Sequence, residues 1–273
     1  MDSSLFEVLS FLSLPFMLCL VLAGIHCHLG FHVLKRSVIF VDLSLAQVAA
    51  FGTALALLLG YEYDDNASYL ISLVATFAAA TLFALARKME DRLPQEAIIA
   101  ITYALGSAAL ILILDNVAHG SEHIKSMLIG KILWVQWHEL SKILILYSIV
   151  AVIFYIFRKQ FKSASEGSMG AKQWLWDFAF YALFGIVITS SVRIAGVLQV
   201  FAYLIVPSTL ANMMLKKESQ KLPFAWGLAF ILSTTGMIWS YMSDLPSGAA
   251  IVVCFSIVPV LLVLVRAIGG FKH

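Results

Sequence analysis

Residues 176–212 read WDFAFYALFGIVITSSVRIAGVLQVFAYLIVPSTLAN, an apolar run long enough to cross a bilayer twice. Arg193 interrupts it, and its second half carries polar side chains at Gln199, Tyr203 and beyond. Unpaired polar groups are costly in lipid, so they usually face protein or a water-filled path. Pro207 has no amide hydrogen for the carbonyl of Tyr203, so we expect a kink there. The run indicates either a translocation path or a kinked packing helix.

The composition is that of a membrane protein. Of 273 residues, 61% are hydrophobic and 12% are charged, whereas soluble domains carry about 25% charged residues. The mean hydropathy is +0.93. We therefore expect an all-α, polytopic membrane protein, with residues 1–273 forming a single transmembrane domain.

Nine apolar runs approach the roughly 20 residues that a helix needs to cross the hydrocarbon layer. They are residues 8–25, 38–60, 68–86, 96–114, 143–157, 177–192, 195–215, 224–241 and 248–265. The fifth and sixth runs are short, and only Arg193 and Ile194 separate the sixth from the seventh. The sequence therefore predicts eight to nine transmembrane helices.

Basic residues follow every second run, and they orient the chain. They are Lys35, Arg36, Arg87, Lys88, Arg92, Arg158, Lys159, Lys162, Lys172, Lys216, Lys217, Lys221, Arg266 and Lys272. The alternate loops are acidic or neutral, with Lys125, Lys131 and Arg193 as the exceptions. Since cytoplasmic loops are enriched in Lys and Arg, this pattern predicts the N-terminus outside and the C-terminus in the cytosol.

Motifs for enzyme chemistry are missing from the sequence. There is no G-x-x-x-x-G-K-[ST] phosphate loop, so the chain does not bind ATP by that motif. There is also no H-E-x-x-H and no pair of carboxylates inside the spans. Asp42 is almost alone among ionisable residues in the apolar runs, which argues for an energy source outside this chain.

Asp42 and Gln47 lie in the second apolar run. A carboxylate there costs several kcal/mol unless it is paired or hydrated, so it indicates a permeation path. The alternative is a carboxylate held at the membrane edge by Lys35 or Arg36.

Two groups of residues could bind metal. His26, Cys27, His28 and His32 end the first run, although the adjacent Lys35 and Arg36 would repel a cation. In the predicted outer loop, His119, Glu122 and His123 could meet on a single turn and contact a divalent ion. The alternatives are satisfied interfacial histidines and an ordinary solvated loop.

Four stretches of the chain are similar to one family. They are residues 35–52 (KRSVIFVDLSLAQVAAFG), 128–137 (LIGKILWVQW), 196–212 and 243–252 (SDLPSGAAIV). In this order they resemble the permease subunit of the ABC importers that take up zinc, manganese or iron. The resemblance implies a prokaryotic inner-membrane permease that binds no cofactor or nucleic acid.

The resemblance also implies partners. It predicts a homodimeric pore, two ATP-binding subunits on the cytosolic face and a metal-binding protein outside the cell. Residues 163–176 stand where such permeases have their coupling helix, and Gly167 and Gly170 could bracket it. The predicted contacts with the ATPase are Glu166, Gly167, Met169, Gly170 and Ala171.

The second run departs from the family pattern. Many members have Asp and, four residues later, His, which are thought to meet the metal. Here Asp42 matches, but Ala46 occupies the histidine position and Gln47 follows it. Asp42 is therefore a predicted metal contact, and the identity of the ion stays open.

These observations give a working hypothesis of ATP-driven metal import by alternating access. The predicted path residues are Asp42, Gln47, Tyr203, Pro207, Ser208, Thr209 and Asn212. The alternatives are a secondary transporter driven by an ion gradient, an intramembrane enzyme or scaffold, and an importer of a metal chelate.

Overall fold

The structure is a computed structural model in which residues 2–89, 93–117 and 120–268 are described, with side chains from residue 11 onward except at Ser121. Eleven α-helices make up this part of the chain. They are α1 (Asp2–Lys35), α2 (Val41–Leu58), α3 (Asn66–Lys88), α4 (Gln95–Leu114), α5 (Gly120–Ile129), α6 (Trp137–Ile156), α7 (Arg158–Ser165), α8 (Gln173–Ala195), α9 (Val197–Met214), α10 (Glu218–Ser243) and α11 (Ser247–Ile268). Single 3₁₀ turns lie at Ile132–Trp134 and Gly170–Lys172.

Nine of the described helices are long and apolar enough to cross a membrane, all except α5 and α7. The described residues thus contain nine candidate spans, which agrees with the upper value of the predicted eight to nine. The runs predicted to be short correspond to α6, with 20 residues, and α8, with 23 residues. Gly196 separates α8 from α9 with a φ of +78°. A left-handed glycine ends one helix and lets the next begin without a connecting loop.

Helix α2 lies at the centre of one half of the bundle, packed against α3, α4 and α8. In its most apolar window, 72% of the residues are buried. Small residues let α3 approach closely, because a Cβ on Gly52 would lie 2.6 Å from the Cα of Ser72. The Ser72 hydroxyl donates a hydrogen bond of 2.6 Å to the carbonyl of Ala49, which fixes the two helices against each other.

The other half of the bundle consists of α1, α9, α10 and α11. Gly30 of α1 faces the backbone of α9 so closely that a Cβ would overlap the carbonyl of Leu204. Aromatic contacts join the remaining helices, including a T-shaped pair between Tyr203 and Phe255 with ring centroids 4.9 Å apart. Helix α8 contacts both halves, through α2 and α3 on one side and α9 on the other.

Two ends of the bundle differ in chemistry. At one, which we call the basic end, Arg36 after α1 and Arg87 of α3 both contact Asp177 of α8. At the other, which we call the opposite end, Arg193 of α8 contacts the carbonyl of Tyr63 in the loop between α2 and α3. The predicted segregation of basic residues thus corresponds to one physical end of the molecule.

Candidate translocation path and coupling region

Asp42 occupies the first turn of α2 and is 1% exposed. Within the described part of the chain, no side chain donates a hydrogen bond to its carboxylate oxygens, which interact only with the backbone amides of Asp42 and Leu43 in the same turn. Arg36 pairs with Asp177 and Lys35 with Glu218, so the alternative in which these basic residues hold Asp42 is wrong. The positive end of the α2 dipole partly stabilises the carboxylate there. A buried acid without a side-chain partner is costly, which makes Asp42 the leading candidate for contact with a cation.

Gln47 lies on the same helix and is also buried. Its backbone packs against α4, where a Cβ on Gly106 would lie 3.4 Å from the Gln47 carbonyl carbon. Ala46, which stands at the histidine position of the family, is buried as well. Helix α2 therefore supplies the Asp42 carboxylate and no imidazole at position 46, and Gln47 packs toward α4.

The first three predicted path residues on α9 are engaged in contacts within the chain. The Tyr203 hydroxyl bonds Ser233 of α10 at 2.6 Å, and Ser208 bonds the carbonyl of Leu204 at 2.6 Å. Pro207 lies inside α9, and the carbonyl that it leaves free, that of Tyr203, accepts a weak hydrogen bond from Cys27 at 3.7 Å. That carbonyl therefore has a partner in α1.

The last two residues of the predicted path differ in exposure. Thr209 is half-buried, and its hydroxyl has no hydrogen-bond partner among the described residues. Asn212 is exposed near the end of α9. The α9 residues thus run from a buried helix contact at Tyr203 to the surface at Asn212, and their role as path-lining groups stays a prediction.

A row of buried hydroxyls on α8 was missed by the sequence reasoning. Thr189 bonds Thr76 of α3 at 3.0 Å, and Ser191 lies 3.1 Å from His26 of α1. Ser190 donates to the hydroxyl of Tyr147 on α6 at 3.3 Å. The signal was present as three consecutive hydroxyl residues in an apolar run, but their partners lie on three separate helices and could not be identified from the sequence.

The histidines of α1 are engaged in separate contacts. Nδ1 of His26 lies 2.8 Å from the carbonyl of Leu22, and Nδ1 of His32 lies 2.9 Å from the hydroxyl of Ser165. Among the described residues, no group of three or more His, Cys, Asp or Glu side chains is arranged to hold a metal ion. The α1 histidines therefore bind protein groups, as the alternative interpretation expected.

The predicted outer metal group lies partly on α5. His119 falls outside the described residues, so its predicted contact stays a prediction. Glu122 is exposed, and the ring of His123 stacks on Tyr63 with centroids 6.1 Å apart. These two residues are adjacent on the helix surface at the opposite end, and their predicted role in metal contact also stays a prediction.

Three of the four stretches similar to the family meet at the opposite end. Gly130, Gly196 and Gly248 bring their backbones together around the end of α5. A Cβ on Gly196 would lie 2.5 Å from the amide nitrogen of Gly130, and a Cβ on Gly248 would overlap the carbonyl of Ile129. The amide of Lys131 bonds the carbonyl at position 194 at 2.7 Å. Side chains would prevent this contact, which explains the glycines in these stretches.

A cavity of about 560 Å³ also lies at the opposite end, between α3, α6 and α8. Its charged and polar lining includes Asp64, Tyr69, His138, Glu139 and Arg193. The sequence also predicts that the outer mouth of the pore is formed by the loops at residues 115–123 and 243–248, and none of these residues lines this cavity. The sequence reasoning therefore missed this concave surface, because it is assembled from distant segments.

A buried charge cluster holds the basic end together. Asp177 is fully buried and accepts hydrogen bonds from Arg36, from Arg87 at 2.9 Å and from Gln173 at 3.0 Å. Burial lowers the pKa of Arg36, and the carboxylate of Asp177 beside it opposes that shift. The cluster joins α1, α3 and α8 at one point and was not predicted, because its members are distant in the sequence.

The predicted coupling segment adjoins this cluster. The backbone amide of Met169 donates to Gln173 at 3.2 Å, and Gln173 in turn donates to Asp177 and to the carbonyl of Ala164. Gly167 and Gly170 have φ values of +73° and +57°. The prediction that they bracket a short helix is wrong, because Ser168 and Met169 between them are not helical.

The helical parts of the coupling segment instead flank the two glycines. Helix α7 ends at Ser165, before Gly167, and the 3₁₀ turn Gly170–Lys172 begins at the second glycine. The predicted contact residues Glu166, Gly167, Gly170 and Ala171 are exposed, and Met169 is half-buried. The segment is therefore largely exposed at the basic end, with Met169 partly buried, and its role in coupling stays a prediction.

Nine apolar spans with polar groups between them define an α-helical, multi-pass membrane protein of the kind that serves as a transport subunit. The chain belongs to the ABC 3 transport family, whose family model matches residues 9–266. It is therefore the membrane permease component of an ABC transport system and is not itself the ATPase.

Individual relatives extend over most of the chain. The manganese transport system membrane protein MntC of Listeria monocytogenes is 23% identical over 236 residues, which cover 84% of this chain and 81% of that protein. A probable metal transport system membrane protein of Chlamydia muridarum is 25% identical over 235 residues, covering 84% and 80%.

A solved structure has the same fold. The structure described as PsaBC from Streptococcus pneumoniae in complex with Fab aligns with a TM-score of 0.76 at 18% sequence identity. The alignment covers 94% of this chain and 93% of that one. The helix arrangement seen here is thus shared with a known membrane assembly.

Proposed function

We propose that this chain is the permease subunit of an ATP-driven importer of divalent metal ions, with manganese, iron and zinc as the candidate ions. Membership of the ABC 3 transport family supports the import of a small solute through a membrane pore. The named functions of relatives, manganese transport in Listeria monocytogenes and metal transport in Chlamydia muridarum, support a metal as that solute.

Asp42 is the observation that carries the proposal. A carboxylate that is buried in a membrane-spanning helix and has no side-chain partner among the described residues loses several kcal/mol of hydration. A passing divalent cation would offset that loss, and carboxylate oxygens are suitable ligands for manganese and iron.

The path in this proposal follows α2 and α9 of two protomers. It is lined by Asp42, Gln47, Tyr203, Pro207, Ser208, Thr209 and Asn212. At the opposite end, a metal-binding protein delivers the ion near residues 115–123, with His119, Glu122 and His123 as contacts, and near residues 243–248. The alternating access that moves the ion onward requires movement of the spans relative to one another.

Coupling to ATP uses the segment from Glu166 to Ala171 at the basic end, which we place in the cytosol. Two ATP-binding subunits dock there in the proposed complex. A displacement of Met169 reaches Asp177 through Gln173, and Asp177 contacts both α1 and α3 through Arg36 and Arg87. This chain of contacts gives the exposed segment a direct connection to three spans.

Metal uptake in energised cells tests the proposal. Cells that express the chain with its ATPase should accumulate one of the three ions saturably, and a catalytically dead ATPase should abolish the uptake. Asp42→Ala should reduce uptake by at least tenfold with normal assembly, whereas the matched control Glu62→Gln, an exposed acid, should leave it unchanged. Uptake that persists with the dead ATPase and collapses with the proton gradient would instead identify a secondary transporter.

Orientation is tested separately by labelling. Ser168→Cys at the basic end and Tyr61→Cys at the opposite end both place a thiol at an exposed position. A membrane-impermeant maleimide applied to intact cells should label the cysteine at position 61 and spare that at position 168. The reverse pattern would contradict the proposed topology without affecting the family assignment.

A further inference from the structure

A groove of about 480 Å³ opens on the flank of the bundle between α1, α6 and α10. Its volume falls within the roughly 300–1,000 Å³ of pockets that hold small ligands. The lining is almost entirely apolar and includes Val21, Gly24, Leu144, Ala151 and Trp226. Leu144, Ala151 and Trp226 are exposed on this flank, so the groove faces the hydrocarbon layer.

The groove continues into a second cavity at the basic end. This cavity, of about 230 Å³, shares His28, Arg158 and Leu222 with the groove. Four cationic side chains line it, contributed by α1, α7 and α10, together with a single carboxylate. They are Lys35, Arg158, Lys162 and Lys221, and the carboxylate is Glu218.

The carboxylate neutralises only part of this charge. Glu218 contacts Lys221 at 2.6 Å and Lys35 at 3.8 Å, and its side chain is 66% exposed. Arg158 lies over the ring of Tyr155, with its guanidinium 5.0 Å from the centroid, and Lys162 is exposed one turn further along α7. The cavity therefore keeps an excess of positive charge at the point where the apolar groove ends.

We propose that the groove and the cavity together bind one anionic phospholipid from the membrane leaflet at the basic end. An acyl chain occupies the groove, and the phosphate lies among Lys35, Arg158, Lys162 and Lys221. Basic pockets between transmembrane helices suit anionic head groups, while the apolar groove alone would accept any lipid tail. The positive charge of the cavity at the basic end identifies the occupant, because it favours an anionic lipid over a zwitterionic one.

This site is separate from the proposed path. None of the path or coupling residues lines either cavity. The groove is formed by α1, α6, α10 and Arg158 of α7, and the cavity by α1, α7 and α10, so a bound lipid would bridge helices from different parts of the chain.

Tryptophan quenching by brominated lipids tests the head-group preference. The full chain is reconstituted in phosphatidylcholine bilayers that contain equal fractions of brominated phosphatidylglycerol or brominated phosphatidylcholine. The Trp226 signal is the difference between each protein and its Trp226→Phe counterpart. Phosphatidylglycerol should quench Trp226 at much lower mole fractions, since each basic residue near the surface contributes roughly fivefold to the binding of an anionic lipid.

Neutralising two of the basic side chains tests whether the positive charge of the cavity selects an anionic head group. Arg158→Gln combined with Lys162→Gln should weaken the preference for phosphatidylglycerol by about 25-fold while phosphatidylcholine still quenches Trp226. That residual quenching shows that the groove remains formed. Lys216→Gln with Lys217→Gln is the matched control, because it removes two charges outside the cavity and should preserve the preference.

Filling the groove tests the acyl-chain site. A Cβ on Gly24 meets open space within 4 Å, so Gly24→Leu can be introduced and its side chain occupies the groove. It should abolish quenching of Trp226 by both lipids. Gly227→Leu is the matched control, since Gly227 has the same free space and does not line the groove.

Three results would overturn the proposal. Equal quenching of the wild-type protein by the two brominated lipids would exclude the head-group selection. An equal loss of preference in the Lys216 and Lys217 control would reduce the effect to general surface charge. No quenching of Trp226 by either lipid would show that protein, such as a second copy of the chain, covers the groove.

Discussion

Replacing Asp177 by Asn should destabilise the protein more than any other single removal of charge at the basic end. The amide keeps the size of the side chain and removes its negative charge. Arg36 and Arg87 would then lie close together with no carboxylate between them. The same change weakens the acceptor for Gln173, which connects the cluster to the coupling segment.

The burial of the partners sets the size of the effect. The side chains of Asp177 and Arg36 are fully buried, and that of Arg87 is 13% exposed. Removing one partner of a buried ion pair costs about 3–5 kcal/mol, because the other charge stays buried without compensation. Arg87 can turn partly toward water, so we expect a value near the lower end of that range.

The assay is the free energy of unfolding of the purified protein, measured by titration of mixed micelles with sodium dodecyl sulfate. Glu218→Gln is the matched control, because it also removes an acid that contacts two basic side chains. Glu218 is 66% exposed, and pairs of that kind contribute about 0–1 kcal/mol. The two variants therefore separate burial from the mere presence of an ion pair.

A double replacement separates the loss of stability from the loss of the connection to the coupling segment. Arg36→Met with Asp177→Leu removes both members of the buried pair, and apolar replacement of such pairs is often neutral for stability. It should recover much of the loss of Asp177→Asn while transport stays impaired, since the connection to the coupling segment is gone. A loss from Asp177→Asn no larger than that from Glu218→Gln would refute the argument.

Other substitutions give further expected outcomes. Gly196→Ala should lower the free energy of unfolding by more than about 1 kcal/mol, because φ at this position is +78° and the new Cβ would lie 2.5 Å from the amide nitrogen of Gly130. Its control is Gly227→Ala, at an open helical position, which should be neutral or stabilising by up to about 1 kcal/mol. Tyr203→Phe should cost about 1 kcal/mol in the same titration through the lost bond to Ser233, and normal uptake would remove Tyr203 from the path. Gly52→Val should cost at least 2 kcal/mol by separating α2 from α3, and an unchanged unfolding titration would contradict the close packing.

The spans were predictable because length and hydropathy are local properties. The boundaries of the spans were less predictable than their number, and α6 is an example. The prediction began this span at residue 143, but the helix starts at Trp137. Glu139 bonds the backbone amide of Gln136 at 2.8 Å and caps a polar first turn that no hydropathy count would include.

The buried contacts were not predictable because they join distant positions. Asp177 lies 141 residues from Arg36 and 90 residues from Arg87 in the sequence. From the sequence, Arg36 could be paired only with a nearby acid, so Lys35 or Arg36 holding Asp42 was the alternative to a permeation path. Asp42 itself was identified because one carboxylate in an apolar run is conspicuous. A short helix was predicted between Gly167 and Gly170, where Ser168 and Met169 are not helical.

The glycine contact at the opposite end has a mechanical consequence. Main chains that touch through Gly130 and Gly196 have no rotamers with which to adapt, so this junction is stiff. The basic end is joined instead through the side chains of Arg36, Arg87 and Asp177. In the proposed coupling, a push on the segment near Met169 would move the spans about the glycine junction as a pivot, with α8 as the lever arm.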